Sequence, residues 1–134
     1  FNYTGIGQPP HFLIPKILSH YKLGKKEIEL GNIDVFREFN DVDFVTRAYT
    51  ELILSITHSE IVNVGSSNAI CINDILTFMS DIAGYKIKVK VNPIFVRPNE
   101  IRVLKASTIK MTNIIGDFTD EFNIENTLKK MYLS

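Results

Sequence analysis

The sequence is poor in the residues that build disulfide-linked or metal-centred proteins. Among 134 residues there is a single cysteine, Cys71, which excludes an internal disulfide and a cysteine-rich metal site. No signal peptide is visible, so the expected compartment is a reducing cytoplasm. His11, His20 and His58 lack the i, i+4 spacing of metal ligands on a helix, and we expect all three at the surface.

Charge of one sign and long apolar runs are also missing. The 15 basic and 15 acidic residues cancel, so no strong field favours nucleic acid or a membrane surface as a partner. The longest apolar runs, such as Ile53-Leu54, are too short to span a bilayer. Hydrophobic residues make up 45% and charged residues 22%, which is typical of one globular domain with a substantial core.

Helical and strand patterns alternate along the chain, which predicts an α/β fold with a short mixed sheet and packed helices. Helical spacing predicts helices over 11–22, after a cap at Asp41, over 72–82 and over 124–133. Strand patterns cover 28–30, 35–39, 60–64 and 86–91, the last with a solvated lysine face. Ser107 is a candidate cap for a short helix through Met111. The buried stripe predicted after Asp41 consists of Val42, Val45, Ala48, Tyr49, Leu52, Ile53 and Ile56.

Two motifs imitate oxidoreductase signatures without meeting their physical requirements. TGIGQPP, residues 4–10, begins like a dinucleotide fingerprint, but it lacks the third glycine and has prolines where a helix should open. Tyr21 and Lys25 have the Y-x-x-x-K spacing of short-chain dehydrogenases, but Gly24 interrupts the helix that would align them. We therefore expect neither motif to act in catalysis.

Three charged residues lie where binding groups are expected, at strand ends and loops. Arg37 lies within the apolar strand VFREF, and Arg97 precedes a proline with Glu100 three residues later. Two arginines that converge on a diphosphate would give bidentate, charge-assisted hydrogen bonds. The alternative is purely structural: Arg37 pairs with Glu38 or Asp41, and Arg97 pairs with Glu100.

Four segments in order carry a family resemblance: FNYTGIGQ, LGNIDVFREFNDVDFVTRAY, EIVNVGSS and VRPNEI. Together they resemble the carboxy-terminal half of GDP-sugar-modifying extended short-chain dehydrogenases/reductases, over nearly the whole chain. That family contains reductases of GDP-4-keto-6-deoxy-hexoses and GDP-mannose 4,6-dehydratases. The TGIGQ loop favours the reductases and Glu100 favours the dehydratases, so the resemblance implies a GDP-sugar reductase with the dehydratase, or another nucleotide-sugar epimerase/dehydratase, as the alternative.

The resemblance also implies which residues bind substrate. Arg37 and Arg97 would hold the diphosphate from opposite sides, and Glu100 would hold ribose hydroxyls. Asn2 would contact the sugar or the diphosphate. No catalytic residue is implied within the chain.

The nucleotide would lie against two further segments. The resemblance places Leu13 and Lys16 along the nucleotide pocket, on the helix HFLIPKI. Gly31 and Asn32 would form a tight turn that lets the backbone approach the base.

The domain organisation follows from the same resemblance. Because the chain starts at Phe1 rather than Met, we expect residues 1–134 to be one nucleotide-sugar-binding domain of a longer or processed chain. An amino-terminal Rossmann domain, lacking here, would bind NADP(H) or NAD(H) and supply the catalytic residues. The expected partners are a GDP-linked keto-sugar and that domain, in a homodimeric parent, with no nucleic acid or membrane.

Two rival hypotheses remain open. The chain could be a standalone binding or regulatory module that kept the pocket without the enzyme. It could also be an interaction domain with no pocket, in which Arg37 and Arg97 are satisfied by carboxylates and do not converge.

Overall fold

The computed structural model describes residues 1–55 and 59–134. Two sequence predictions, Ile56 in the apolar stripe and His58 at the surface, lie outside the described residues. Short 3-10 turns cover Pro93–Phe95 and Thr119–Glu121. In chain order the other elements are β1 (Asn2–Thr4), α1 (Leu13–Lys22), β2 (Glu27–Leu30), β3 (Phe36–Asp41), α2 (Val42–Leu54), β4 (Ala69–Cys71), α3 (Ile72–Ala83), β5 (Lys88–Val91), β6 (Val103–Leu104), α4 (Ile109–Ile115) and α5 (Ile124–Leu133). This arrangement confirms the predicted α/β class.

The strand β3 organises the larger of two small sheets. Its second half pairs in parallel with β1, with Asn2 opposite Phe39. Its first half is flanked by antiparallel β4 and parallel β6, so that Arg37 lies opposite Ile70 on one side and Leu104 on the other. Pairing of β3 with both β4 and β6 therefore fixes the position of Arg37.

The second sheet consists of β2 and β5 in parallel. Its register sets Glu27 opposite Lys88 and Glu29 opposite Lys90. Lys90 forms an ion pair with Glu27, and Lys88 lies 3.9 Å from the same carboxylate. The lysine face predicted from alternation is thus exposed and matched by an acidic face on β2.

A large core fills the space between α1, α3, α5 and the β2–β5 sheet. Its members come from helical positions three and four residues apart, which places them on one face of each helix. Full burial of each such aliphatic side chain contributes about 2 kcal/mol to stability. The buried residues of this core are Ile14, Ile17, Leu18, Tyr21, Ile28, Leu30, Ile75, Leu76, Met79, Leu128 and Met131.

A smaller core lies between α2 and α4 and consists of Phe44, Val45, Ala48, Met111 and Phe118. The stripe predicted for α2 is partly wrong. Tyr49 and Ile53 are 56% and 81% exposed, whereas Phe44, outside the predicted stripe, is buried. The helical period alone does not show which face of a helix meets a neighbour, and here α2 contributes Phe44, Val45 and Ala48 to the core that it shares with α4.

Sequence signals for helix ends agree well with the structure. The Asp41 carboxylate accepts a hydrogen bond from the Asp43 N–H at 2.8 Å and caps α2, as predicted. Pro15 lies in the first turn of α1, where its missing N–H costs nothing. Gly84 ends α3 in the left-handed conformation at φ 75°, and α5 has the predicted limits.

Two predictions for the chain after α2 are wrong. Residues 60–64 form no strand, although burial alternates from the exposed Ile61 to the half-buried Val62 and Val64. No described strand forms backbone hydrogen bonds with this segment, so its alternating residues are not part of a sheet. The short helix begins at Ile109 after a cap position at Thr108, not at Ser107, and continues to Ile115. β4 and β6 went unpredicted because two or three residues show no periodicity.

Candidate functional site

A cleft of about 1060 Å³ opens between the start of α1, the end of β2, the strand β3 and the loop after β5. Residues far apart in sequence meet here because β1 and β3 pair and the 92–100 loop folds back over the end of β2. All the substrate-binding residues predicted above line this cleft: Asn2, Leu13, Lys16, Asn32, Arg37, Arg97 and Glu100. The structure brings the set together, while the role of each in binding stays a prediction.

Arg37 and Glu100 form an ion pair on the cleft wall. Arg37 Nη2 donates to Glu100 Oε1 at 2.6 Å, and the two side chains are only 12% and 16% exposed. Arg37 Nη1 also donates to the Phe36 carbonyl at 2.7 Å. The structural alternative, in which Arg37 pairs with Glu38 or Asp41, is therefore wrong. Adjacent strand residues point to opposite faces, so Arg37 and Glu38 cannot share one.

Arg97 behaves differently from Arg37. It lies in the exposed loop after the Pro93–Phe95 turn, and its side chain makes no hydrogen bond or ion pair within residues 1–55 and 59–134. The alternative pairing of Arg97 with Glu100 is also wrong, because Glu100 pairs with Arg37. Both arginines nevertheless line the same cleft, as the diphosphate hypothesis requires.

The opposite part of the cleft combines a cation with an aromatic ring. Lys16 Nζ donates to the Glu29 carbonyl at 2.7 Å and lies 4.7 Å from the centroid of the Phe95 ring. Phe95 is 48% exposed, so a large part of its ring remains open to the cleft. Gly31 makes this approach feasible, because a Cβ at that position would collide with the Phe95 backbone carbonyl. Sequence reasoning missed Phe95, since its proline-bracketed loop shows no pattern.

Three predicted residues complete the cleft at its edges. Asn2 is exposed at the start of β1, and its carbonyl accepts a hydrogen bond from Asn40 Nδ2 at 3.0 Å. Leu13 is half-buried as the first residue of α1. Asn32, also half-buried, follows Gly31 where β2 ends. These residues add two polar side chains and one apolar side chain to the cleft lining.

A buried carboxylate supports the cleft from behind. Glu38 is 1% exposed and accepts hydrogen bonds from the backbone N–H of Ala106 and, at 3.2 Å, from that of Ser66. Asn40 Nδ2 donates to it as well, at 3.2 Å. A Cβ at Gly65 would collide with this carboxylate. Glu38 thus connects β3 to the loops that contain Ser66 and Ala106. The sequence signal for this role is an acidic residue within an alternating strand.

Neither rejected motif has the local geometry that its signature requires. The loop 4–10 opens no helix, because α1 begins only at Leu13, and the Gln8 side chain closes it onto the Tyr3 carbonyl at 3.2 Å. The loop therefore lacks the helix start that a dinucleotide fingerprint requires. Tyr21 is buried against α3, where its hydroxyl contacts Ser80 Oγ at 2.9 Å, and α1 ends before Lys25.

His11 is exposed and His20 half-buried, with its Nδ1 2.8 Å from the Lys16 carbonyl. The described ranges contain no cluster of His, Cys, Asp and Glu that could hold a metal ion. Within the same ranges, no helix combines the length and the apolar character needed to cross a membrane.

Clear pKa shifts occur at ion pairs and hydrogen bonds outside the cleft lining. The hydrogen bond from Lys90 lowers the pKa of Glu27, and the same contact raises the pKa of Lys90. The hydrogen bond to Asp43 raises the pKa of Lys130, and hydrogen bonds from Thr119 lower the pKa of Asp117. Burial raises the pKa of Tyr85.

Comparison with known proteins gives the site a context. No family model matches the chain. The GDP-6-deoxy-D-talose 4-dehydrogenase of Aggregatibacter actinomycetemcomitans is 29% identical to it, across 98% of this chain and 45% of that protein. The GDP-6-deoxy-D-mannose reductase of Pseudomonas aeruginosa is 28% identical, across 96% of this chain and 44% of that protein.

Solved structures share the fold as well. A Burkholderia cenocepacia protein described provisionally as an epimerase superposes with a TM-score of 0.92 at 40% identity, over 98% of this chain and 43% of that chain. RMD from Pseudomonas aeruginosa, solved with NADPH, superposes with a TM-score of 0.84 at 26% identity, over 99% and 44%. The chain is a homologue of the carboxy-terminal part of extended short-chain dehydrogenases/reductases.

The chain spans about half the length of the curated relatives that it matches. The resemblance drawn from its four sequence segments is confirmed. Both curated relatives are named for GDP-sugar substrates, and a structural neighbour binds NADPH. The part of these relatives that the chain matches is the part that, in this chain, carries the cleft.

Proposed function

We propose that residues 1–134 form the substrate-binding part of a longer NAD(P)-dependent enzyme that reduces a GDP-4-keto-6-deoxy-hexose. The observation that carries this proposal is the convergence of two arginines, a lysine and a carboxylate on one cleft. The names of the two curated relatives support the substrate, since both describe hydride chemistry on a GDP-linked 6-deoxy-hexose.

The chemistry of the cleft residues suits such a ligand. A guanidinium presents a planar fork of donors that matches phosphate oxygens, and Arg37 and Arg97 would each bind the diphosphate in this way. The exposed face of Phe95, with Lys16 on the ring, would stack against the base. Asn2 and Asn32 would donate and accept hydrogen bonds at the sugar and the base, and Glu100 would accept bonds from ribose hydroxyls.

The reduction itself needs groups that these residues do not provide. A nicotinamide cofactor, held by residues outside this chain, would supply a hydride for the carbonyl carbon, and an acid would supply a proton for the carbonyl oxygen. The part of this chain is to hold the sugar carbon at a fixed position, which converts a bimolecular encounter into an oriented one. The acid that donates the proton would belong to the cofactor-binding domain, together with the cofactor itself.

An apolar face indicates where that domain would dock. Tyr49, Ile53 and Leu54 on α2 are 56–81% exposed, and Ile61 is 90% exposed in a segment that pairs with no strand among the described residues. Exposed apolar groups of this size mark interaction surfaces in soluble proteins. We propose that the Rossmann domain of the parent enzyme covers this face and pairs with residues 60–64.

Several finer predictions go with this proposal. The GDP-sugar dehydratase and the standalone binding module stay as alternatives, since no observation favours either over the reductase. The homodimeric parent and its cytoplasmic location also stay predictions.

Calorimetric titration of the chain with GDP and with UDP tests the proposal. Binding of GDP that is tighter than binding of UDP, and that weakens in Arg37→Ala but not in Arg47→Ala, is the expected result. Arg47 is the matched control because it is an ion-paired arginine outside the cleft. A preference for UDP would keep the binding site and overturn the substrate. A folded chain that binds neither nucleotide would contradict a preformed nucleotide site.

A further inference from the structure

The charged groups of the cleft are not equally available to a ligand. Lys16 already donates to a backbone carbonyl, and Arg97 has no polar partner among the described residues. Arg37 is held by Glu100 in an ion pair whose two side chains are 12% and 16% exposed. Of these three cations, Arg37 alone has a carboxylate partner among the described residues.

The contacts of Arg37 show what a phosphate would meet there. Its Nη1 donates to the Phe36 carbonyl at 2.7 Å and lies 3.5 Å from the Arg102 carbonyl, so the guanidinium plane is fixed by the backbone. Its Nη2 is directed at Glu100. A phosphate oxygen that approaches Nη2 must displace this carboxylate or share the donor with it, and two anions side by side in a half-buried wall repel each other.

We propose that Glu100 is a built-in counter-ion of Arg37 and a specificity-determining residue of the cleft. It keeps the guanidinium in its binding orientation and lowers the affinity of the cleft for any phosphate group. Small anions cannot offset that loss, whereas a nucleotide offsets it through further contacts. This inference rests on the proposed nucleotide-binding function, because it assigns a role to Glu100 within that site.

Replacing Glu100 separates its charge from its shape. Glu100→Gln keeps a neutral hydrogen-bond acceptor for Arg37 and removes the negative charge. We expect the dissociation constant for inorganic pyrophosphate to fall about tenfold, the scale of one charge-assisted hydrogen bond. The affinity should also depend more steeply on salt, because the cleft gains one net positive charge. Glu100→Asp keeps the charge, so its pyrophosphate affinity should rise less than that of Glu100→Gln.

The control is Glu121→Gln, which removes a carboxylate from an arginine pair outside the cleft. It should leave pyrophosphate affinity unchanged, which excludes a general effect of net charge. Binding of pyrophosphate only by the Glu100→Gln chain would also support the proposal. If the original chain binds GDP and Glu100→Gln binds pyrophosphate no more tightly, the counter-ion role is overturned and the proposed function survives. If the original chain and both Glu100 variants bind neither GDP nor pyrophosphate, both are overturned.

Discussion

The two halves of the cleft are built in opposite ways. The fixed half consists of Arg37 and Glu100, with Glu38 buried behind them on β3. The open half consists of Lys16, Phe95, Arg97 and Asn32, with the Phe95 ring 48% exposed and Arg97 lacking a polar partner among the described residues. In the fixed half, Arg37 donates hydrogen bonds to the Phe36 carbonyl, the Arg102 carbonyl and Glu100. The open half depends on the 92–100 loop, which lies over the end of β2.

Because of this difference, phosphate affinity and discrimination between nucleosides are expected in different halves of the cleft. A group that is already oriented loses little entropy when a ligand binds, so the fixed half should supply most of the phosphate affinity. An exposed ring and an unpaired arginine can adjust to the shape of a ligand, so the open half should decide which nucleoside is accepted. Single substitutions in each half, measured by stability or by ligand binding, test this division.

The largest effect should come from the support of the fixed half. Glu38→Ala removes the acceptor of the buried Ala106 N–H and one of the two acceptors of the Ser66 N–H, at a cost of about 3 kcal/mol in the free energy of unfolding. Urea denaturation measures this loss. Glu51→Ala, at an exposed position on α2, is the control and should change stability by less than about 0.5 kcal/mol. Equal effects of the two changes would contradict a structural role for Glu38.

The next effect compares the two arginines directly. Arg37→Ala should weaken GDP binding about 30-fold, because it removes an oriented, charge-assisted contact. Arg97→Ala should weaken it only about fivefold, since a flexible exposed side chain loses more entropy when it binds. Titration calorimetry of both variants measures the ratio. A larger loss at Arg97 would reverse the assignment of phosphate affinity to the fixed half.

A smaller effect should separate the nucleoside from the phosphates. Phe95→Ala removes the aromatic surface and should weaken GDP binding about fivefold, the scale of one stacking contact. Pyrophosphate has no base, so its affinity should not change. Phe12→Ala is the matched control, because it removes another half-exposed ring of the cleft lining, one that carries no cation. Loss of pyrophosphate binding in Phe95→Ala would indicate that the ring shapes the whole cleft.

The smallest effect is expected at the ion pair between Glu27 on β2 and Lys90 on β5. Glu27→Gln removes the partner that raises the pKa of Lys90, so the pKa of Lys90 should fall toward its ordinary value. A raised folded-state pKa adds stability that is present below the unfolded-state pKa and is lost as pH rises through the folded-state value. Both groups are exposed, so we expect no measurable change in GDP affinity. NMR titration of the Lys90 side chain measures the shift, and an unchanged pKa would contradict the pairing.

Long periodic elements were predictable because their signals are local. The pattern around Ile75 and Met79 placed α3, and the limits of α5 were predicted to the residue. The strand predicted at 60–64 failed for a non-local reason, since a strand requires a hydrogen-bonded neighbour that the described chain does not provide. Tyr49 and Ile53 were assigned to the core because periodicity shows a stripe and not what the stripe meets.

The α/β class, most element limits and, through the family resemblance, the residues of the cleft were predictable from the sequence. The pairing of those residues was not, because it depends on the fold. The partner of Arg37 is Glu100, 63 residues away, and not a nearby carboxylate. The strand pleat turns Glu38 to the opposite face, and the fold-back of the 92–100 loop brings Glu100 and Phe95 to the cleft. Pairing of this kind depends on distances in space, which spacing along a chain does not encode.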